Sequence, residues 1–172
     1  MKFTETPHKK DYIYKGKILN LRRDDVILTN GNKAVREIIE HSGGSAILVE
    51  KDDKILFVKQ YRYACGEEVL EIPAGKLNAG EDPLETARRE LEEESGIIAG
   101  NLQLMFEVYP SPGYTQEKIW IYKATDLKEG KVNLDEDEFL SLVWIEKEQV
   151  RKLIKDGTIK DGKTLLALLS IL

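Results

Sequence analysis

Beyond residue 43 the chain alternates short apolar runs with polar turns, at a spacing that suits strands more than long helices. Residues 45–49 and 55–58 are apolar runs around a polar turn at 51–54, which predicts a pair of buried strands. Residues 69–72, 102–109, 118–124 and 140–145 predict further strands. Between them the period changes. Leu84, Ala87 and Leu91 recur at helical spacing and make one apolar stripe. Asp82-Pro83-Leu84-Glu85 is a helix start: a capping Asp, Pro at the first helical position, and Glu three residues after the cap. Gly96 suits a left-handed stop. Residues 146–155 and 162–172 predict two more helices.

The first 42 residues differ in texture. Residues 12–14, 18–19, 26–29 and 34–39 read as short strands, and Asn30-Gly31 between the last two is a hairpin signal. This segment holds too little apolar material to stand alone, so it must pack on the remainder or on another subunit. Gly43-Gly44 marks the boundary. The expected organisation is an N-terminal antiparallel β-segment over 1–42 and a main domain over 43–172. Strands flanking a central helix, then terminal helices, place the main domain in the mixed α/β (α+β) class.

The helix over 83–95 carries the candidate chemistry. Glu90 and Glu94 are four apart and fall beside the apolar stripe, with Glu93 on the same side. Like charges at this spacing cost about 0.2–0.5 kcal/mol per pair, and no lysine matches them at the next turn. Two readings stand: a solvated acidic face, or a site for a hard, oxygen-ligated divalent cation, which usually accompanies phosphate chemistry. Arg89 projects elsewhere, toward Glu85 or Glu93.

Gly75, Glu81, Arg89, Glu90, Leu91, Glu93, Glu94, Gly96 and Ile97 match the Nudix box without a gap or substitution. The chain therefore resembles the Nudix hydrolases. That resemblance implies an α/β/α sandwich around a mixed sheet, with the box forming a loop-helix-loop. It implies hydrolysis of nucleoside diphosphates linked to another moiety, with Mg²⁺ or Mn²⁺. It makes Glu90 and Glu94 the principal metal ligands, Glu93 a further ligand, and the Ala74 backbone carbonyl another. Glu81 would orient the loop, and Arg89 would hold the box carboxylates in place.

Outside the box, Gln60-Tyr61-Arg62, Glu71-Ile72-Pro73-Ala74-Gly75-Lys76 and Ser111-Pro112-Gly113-Tyr114-Thr115-Gln116-Glu117 resemble the ADP-ribose pyrophosphatase subfamily. Each has a plainer reading: a turn at Pro112-Gly113, a surface arginine at Arg62, a strand end at Pro73. The subfamily resemblance implies cleavage of ADP-ribose or a close ADP-sugar to AMP and ribose 5-phosphate, and a homodimer built through a swapped N-terminal segment. The general base would lie on the loop 135–138, with Glu138 first and Glu136 second. Arg62 would reach a phosphate, Glu117 the terminal ribose, and Arg36 the site from the other subunit. Tyr12 or Tyr14 would stack on adenine, unless they belong to the core or the dimer face.

Composition narrows the field. Of 172 residues, 41% are hydrophobic and 33% charged, as in an ordinary globular domain. The net charge of −5 and the lack of a basic stripe argue against a nucleic-acid partner. No apolar run suits a bilayer span or a signal peptide, so no membrane partner is expected. The lone Cys65 fits a reducing cytoplasm, as an incidental thiol rather than a nucleophile with His8 or His41 as its base. Two rivals remain within the resemblance: hydrolysis of another nucleoside diphosphate derivative or a triphosphate, and a non-catalytic nucleotide sensor. The second sits poorly with a complete set of box glutamates.

Overall fold

The computed structural model describes residues 3–134, 136 and 138–172, so Asp135 and Asp137 of the loop 135–138 lie outside the described residues. The chain divides into two compact units, Met1–Gly43 with Tyr109–Lys118, and Gly44–Val108 with Ile119–Leu172.

The first unit is a three-stranded antiparallel sheet in the order β1-β2-β3: β1 Thr6–Lys15, β2 Leu19–Ile27 and β3 Lys33–His41. The Asn30-Gly31 signal lies in the β2–β3 turn, where Leu28 N–H bonds Asn32 O at 2.8 Å and Gly31 N–H bonds Leu28 O at 2.8 Å. Gly31 sits at φ 83°, the left-handed position this three-residue hairpin loop requires. Arg22 and Asp24, 9% and 2% exposed, pair at 2.8 Å, and Arg22 also meets Glu40. The segment 109–118 lies along β3: Ile39 N–H donates to Tyr114 O at 2.7 Å and Gln116 N–H to Ile39 O at 3.1 Å.

The second unit holds β4 Gly44–Lys51, β5 Lys54–Arg62, β6 Glu67–Glu71, β7 Ala74–Lys76, α1 Pro83–Ser95, β8 Ile97–Val108, β9 Ile119–Glu129, β10 Leu140–Glu146, α2 Lys147–Lys155 and α3 Gly162–Leu169. Its seven-stranded sheet runs β10-β5-β4-β9-β8, with β6 on β5 and β7 on β4. The β4–β9 pair is parallel and the others antiparallel. Asp52 and Asp53, both at positive φ, close the β4–β5 hairpin as a tight turn.

Strand alternation splits the core in two. Ile47 and Val49 of β4 face α1 and join Ala87 and Leu91. Ala46 and Leu48 face the other way and join Val150 of α2 and Leu168 of α3. The sheet is therefore the middle layer of an α/β/α sandwich. Two strands are longer than the sequence pattern predicts. β8 starts at Ile97 rather than at residue 102, because Gly100 and Asn101 interrupt the apolar pattern there without ending the ladder. β9 runs on to Glu129, opposite that extension. Among the described residues no helix is long and apolar enough to cross a membrane.

Leu91 is fully buried between α1 and the sheet. Leu91→Ala should lower unfolding free energy by about 2–5 kcal/mol, read as a lower urea midpoint at unchanged slope.

Candidate active site

The helix α1 is fixed at both ends. Asp82 accepts Leu84 N–H at 2.8 Å, Pro83 opens the first turn, and Ser45 Oγ donates to Pro83 O at 2.7 Å. At the far end Gly96, at φ 67°, returns its N–H to Glu92 O at 2.8 Å. The helix therefore presents its glutamates from a rigid base.

Glu94 lies on the inner side of α1 and is only 3% exposed. Its Oε2 accepts Ala74 N–H at 3.0 Å. Burial, with the charges of Glu90 and Glu138, pushes its carboxyl up to about 8. Glu90 is also pushed up, first by burial and then by Glu93 and Glu138. Its carboxylate lies directly against β7, where a Cβ added to Gly75 would fall 1.8 Å from Glu90 Cδ. Only glycine admits the carboxylate here. This contact joins the first residue of the box to one of its glutamates.

One guanidinium organises the outer carboxylates. Arg89 donates from Nε to Glu81 Oε1 at 2.9 Å and from Nη2 to Glu81 Oε2 at 3.1 Å. Its Nη1 reaches Glu90 Oε1 at 2.7 Å and Glu93 Oε2 at 2.9 Å, and Nη2 reaches Lys76 O at 3.3 Å. The pairing with Arg89 holds the Glu81 carboxyl down at about 2. Glu81 also accepts Asn78 N–H at 2.9 Å, which ties the loop to the helix. Of the two partners expected for Arg89, Glu93 is found. Glu85 pairs instead with Arg88, at 3.6 Å, because the loop folds Glu81 back onto Arg89.

Among the described residues no three acidic, His or Cys side chains are gathered closely enough to hold a metal ion; Glu90 and Glu93 are engaged by Arg89. The donor set nonetheless fits a hard divalent cation: oxygen donors, two of them carboxylates whose charge burial disfavours and a cation would restore. Glu90, Glu93, Glu94 and Ala74 are all on this α1–β7 corner.

Around the corner, Glu138 is half-buried and its charge acts on both Glu90 and Glu94, whereas Glu136 is exposed. Arg62, at the end of β5, grips Glu71 with two hydrogen bonds, Nε to Oε1 at 2.6 Å and Nη2 to Oε2 at 3.0 Å. Its charge and that of Glu94 act on each other. Burial alone would raise Glu71, but Arg62 and Lys163 more than offset this and leave it below the usual carboxylate range. Sequence reasoning passed over Lys163, whose Nζ stands 2.5 Å from Glu71 Oε2. The two residues are 92 positions apart, and nothing local marks the pairing.

Arg36, Tyr14 and Glu117 belong to the first unit. Arg36 pairs with Glu5, at 2.9 Å from Nε and 2.5 Å from Nη2. Tyr14 is exposed. Glu117 Oε1 stands 3.4 Å from His41 Nδ1, and Glu117 N–H bonds Thr115 Oγ1 at 3.1 Å.

Comparison with known proteins gives this geometry a family. Residues 40–168 match the NUDIX domain, and residues 5–39 match the nucleoside diphosphate sugar hydrolase N-terminal domain. The chain is 40% identical over 168 residues to a methanol dehydrogenase activator of Bacillus methanolicus, spanning 96% of this chain and 91% of that protein. It is 41% identical over 162 residues to an ADP-ribose pyrophosphatase of Bacillus subtilis (strain 168), spanning 92% of this chain and 88% of that one. The fold matches a crystal structure of an ADP compounds hydrolase with a TM-score of 0.84 at 24% identity, over 96% of this chain and 90% of the other. A complete box, a buried carboxylate corner and matches over nearly the whole length lead to one conclusion: the chain belongs to the Nudix hydrolase family, whose ADP-ribose pyrophosphatases generally use divalent metal ions.

Proposed function

We propose that this Nudix hydrolase cleaves the pyrophosphate bond of ADP-ribose, or of a close ADP-sugar, to AMP and ribose 5-phosphate. The observation that carries the chemistry is the α1–β7 corner, where Glu94 is buried and pushed up to about 8 beside Glu90. The substrate class rests on the likeness to an ADP-ribose pyrophosphatase over most of both chains. Glu90 and Glu94, with Glu93 and the Ala74 carbonyl, would hold Mg²⁺ or Mn²⁺. When bound, the cation offsets the diphosphate's negative charge and makes a water molecule more acidic.

The protein's own residues supply the rest. Arg89 keeps Glu81, Glu90 and Glu93 in register from one planar fork, which a lysine could not do. Glu138 acts as general base, taking a proton from the water that adds to phosphorus as the bridging P–O bond breaks. Its support is its charge acting on Glu90 and Glu94, together with its place two residues before β10. Glu136, exposed, ranks second. Arg62 contacts a phosphate, and Glu117 the terminal ribose.

Residues 1–42 serve as a dimerisation segment of a homodimer, ahead of a hydrolase domain over 43–172. The exposed Tyr12, Ile13, Tyr14 and Ile18 support this reading. In that dimer Arg36 enters the partner's site, and Tyr14 stacks on adenine.

A substrate panel with Mg²⁺ or Mn²⁺, its products identified by mass, tests the activity. AMP and ribose 5-phosphate from ADP-ribose are expected, and a preference for a nucleoside triphosphate would overturn the reading. For the base, Glu138→Gln should lower kcat by about 10²–10⁴-fold with metal saturating. A near-normal kcat would remove Glu138 from that role.

A further inference from the structure

The ion cluster behind Arg62 has a division of labour of its own. Glu71 is 5% exposed, and two cations share its carboxylate. They differ in freedom. The Lys163 side chain is 12% exposed and is also held by Asp161 at 3.1 Å. The Arg62 side chain is 42% exposed. Lys163 is also seated on a fixed element. Asp161 caps α3, accepting Thr164 N–H at 3.0 Å and Thr164 Oγ–H at 2.6 Å, and Thr164 Oγ1 accepts Ile72 N–H at 3.0 Å, one residue past Glu71. Arg62 can leave Glu71 for another anion only if the buried carboxylate stays paired, because a buried charge stripped of its partner is strongly destabilising. The two guanidinium donors on Glu71 are those that a phosphate would accept, since carboxylate and phosphate present similar pairs of oxygens to the fork.

On the reading that Arg62 faces the diphosphate, we propose that Lys163 is a positioning residue for substrate binding. It keeps Glu71 neutralised while Arg62 turns from Glu71 to the phosphates of a nucleoside diphosphate derivative. Glu71 then parks Arg62 near the box carboxylates between turnovers, and Lys163 makes that parking reversible.

Steady-state kinetics on ADP-ribose with saturating Mg²⁺, using full-length proteins, tests this. Lys163→Met should raise KM by about tenfold or more while kcat moves by less than about threefold, as expected for a lost binding interaction. Lys163→Arg should stay near wild type. The double variant Lys163→Met/Glu71→Gln should bring KM back toward wild type, because Arg62 then leaves no charge behind. An unchanged KM in Lys163→Met overturns the proposal. So does a raised KM that Glu71→Gln fails to relieve, which would mean that Lys163 touches substrate itself or only supports the fold. If Lys163→Met does not fold, Lys163→Gln takes its place under the same criteria. A wild-type chain inert towards ADP-ribose would sink the proposed activity separately. The same order of variants would then be read from the protection that ADP-ribose gives against thermal melting.

Discussion

Glu94 is buried and Glu90 half-buried one helical turn apart, and the charge of Glu138 acts on both. Water would normally disperse such crowding; here Gly75 of β7 presses on one carboxylate and the Ala74 N–H fixes the other. The consequence is a carboxyl pushed up to about 8, far from its ordinary value of 4.5. Such a group favours folding at low pH, and its contribution is lost as pH rises toward its folded value. Near neutrality Glu94 therefore holds its proton and needs positive charge beside it before it can ionise. A divalent cation would meet that need, and the diphosphate chemistry of the family would follow from it.

The surrounding architecture confines this tension to one place. Cap, proline and the Ser45 bond anchor the start of α1, and Leu91 seats its middle on the sheet. Arg89 neutralises the outer rim through Glu81 and Glu93 but touches Glu90 at one oxygen only. Glu94 has a backbone N–H and no direct cation of the protein within bonding distance among the described residues. The inner pair thus resists ionising without a cation, while the outer carboxylates lend rigidity. On the other side of the corner, Glu71 is doubly paired, so a second buried carboxylate close by carries no comparable deficit.

Much of this corner was legible in the sequence because it is local. The spacing of Glu90, Glu93 and Glu94, the Asp82-Pro83 start and the Gly96 stop all lie within one helix, and periodicity reads helices well. The hairpin at Asn30-Gly31 was legible for the same reason. The sandwich itself followed from the Nudix resemblance, and apolar runs located most of its strands. Long-range pairings were not legible. Arg89 chooses Glu81 over Glu85 because a loop folds back, and Lys163 meets Glu71 across 92 positions. The early start of β8 was missed because Gly100 and Asn101 read as a break, yet cross-strand pairing with β9 carries the ladder through them.

The most direct test of the account is to count the protons displaced when the metal-free protein binds Mn²⁺, by calorimetry in buffers of different ionisation heat. With Glu94 at about 8, binding at pH 7 should release about one proton, and the release should fall toward none by about pH 9. Metal binding with no proton released at pH 7, or no binding at all, would contradict the claim that this crowded carboxylate corner is a cation site.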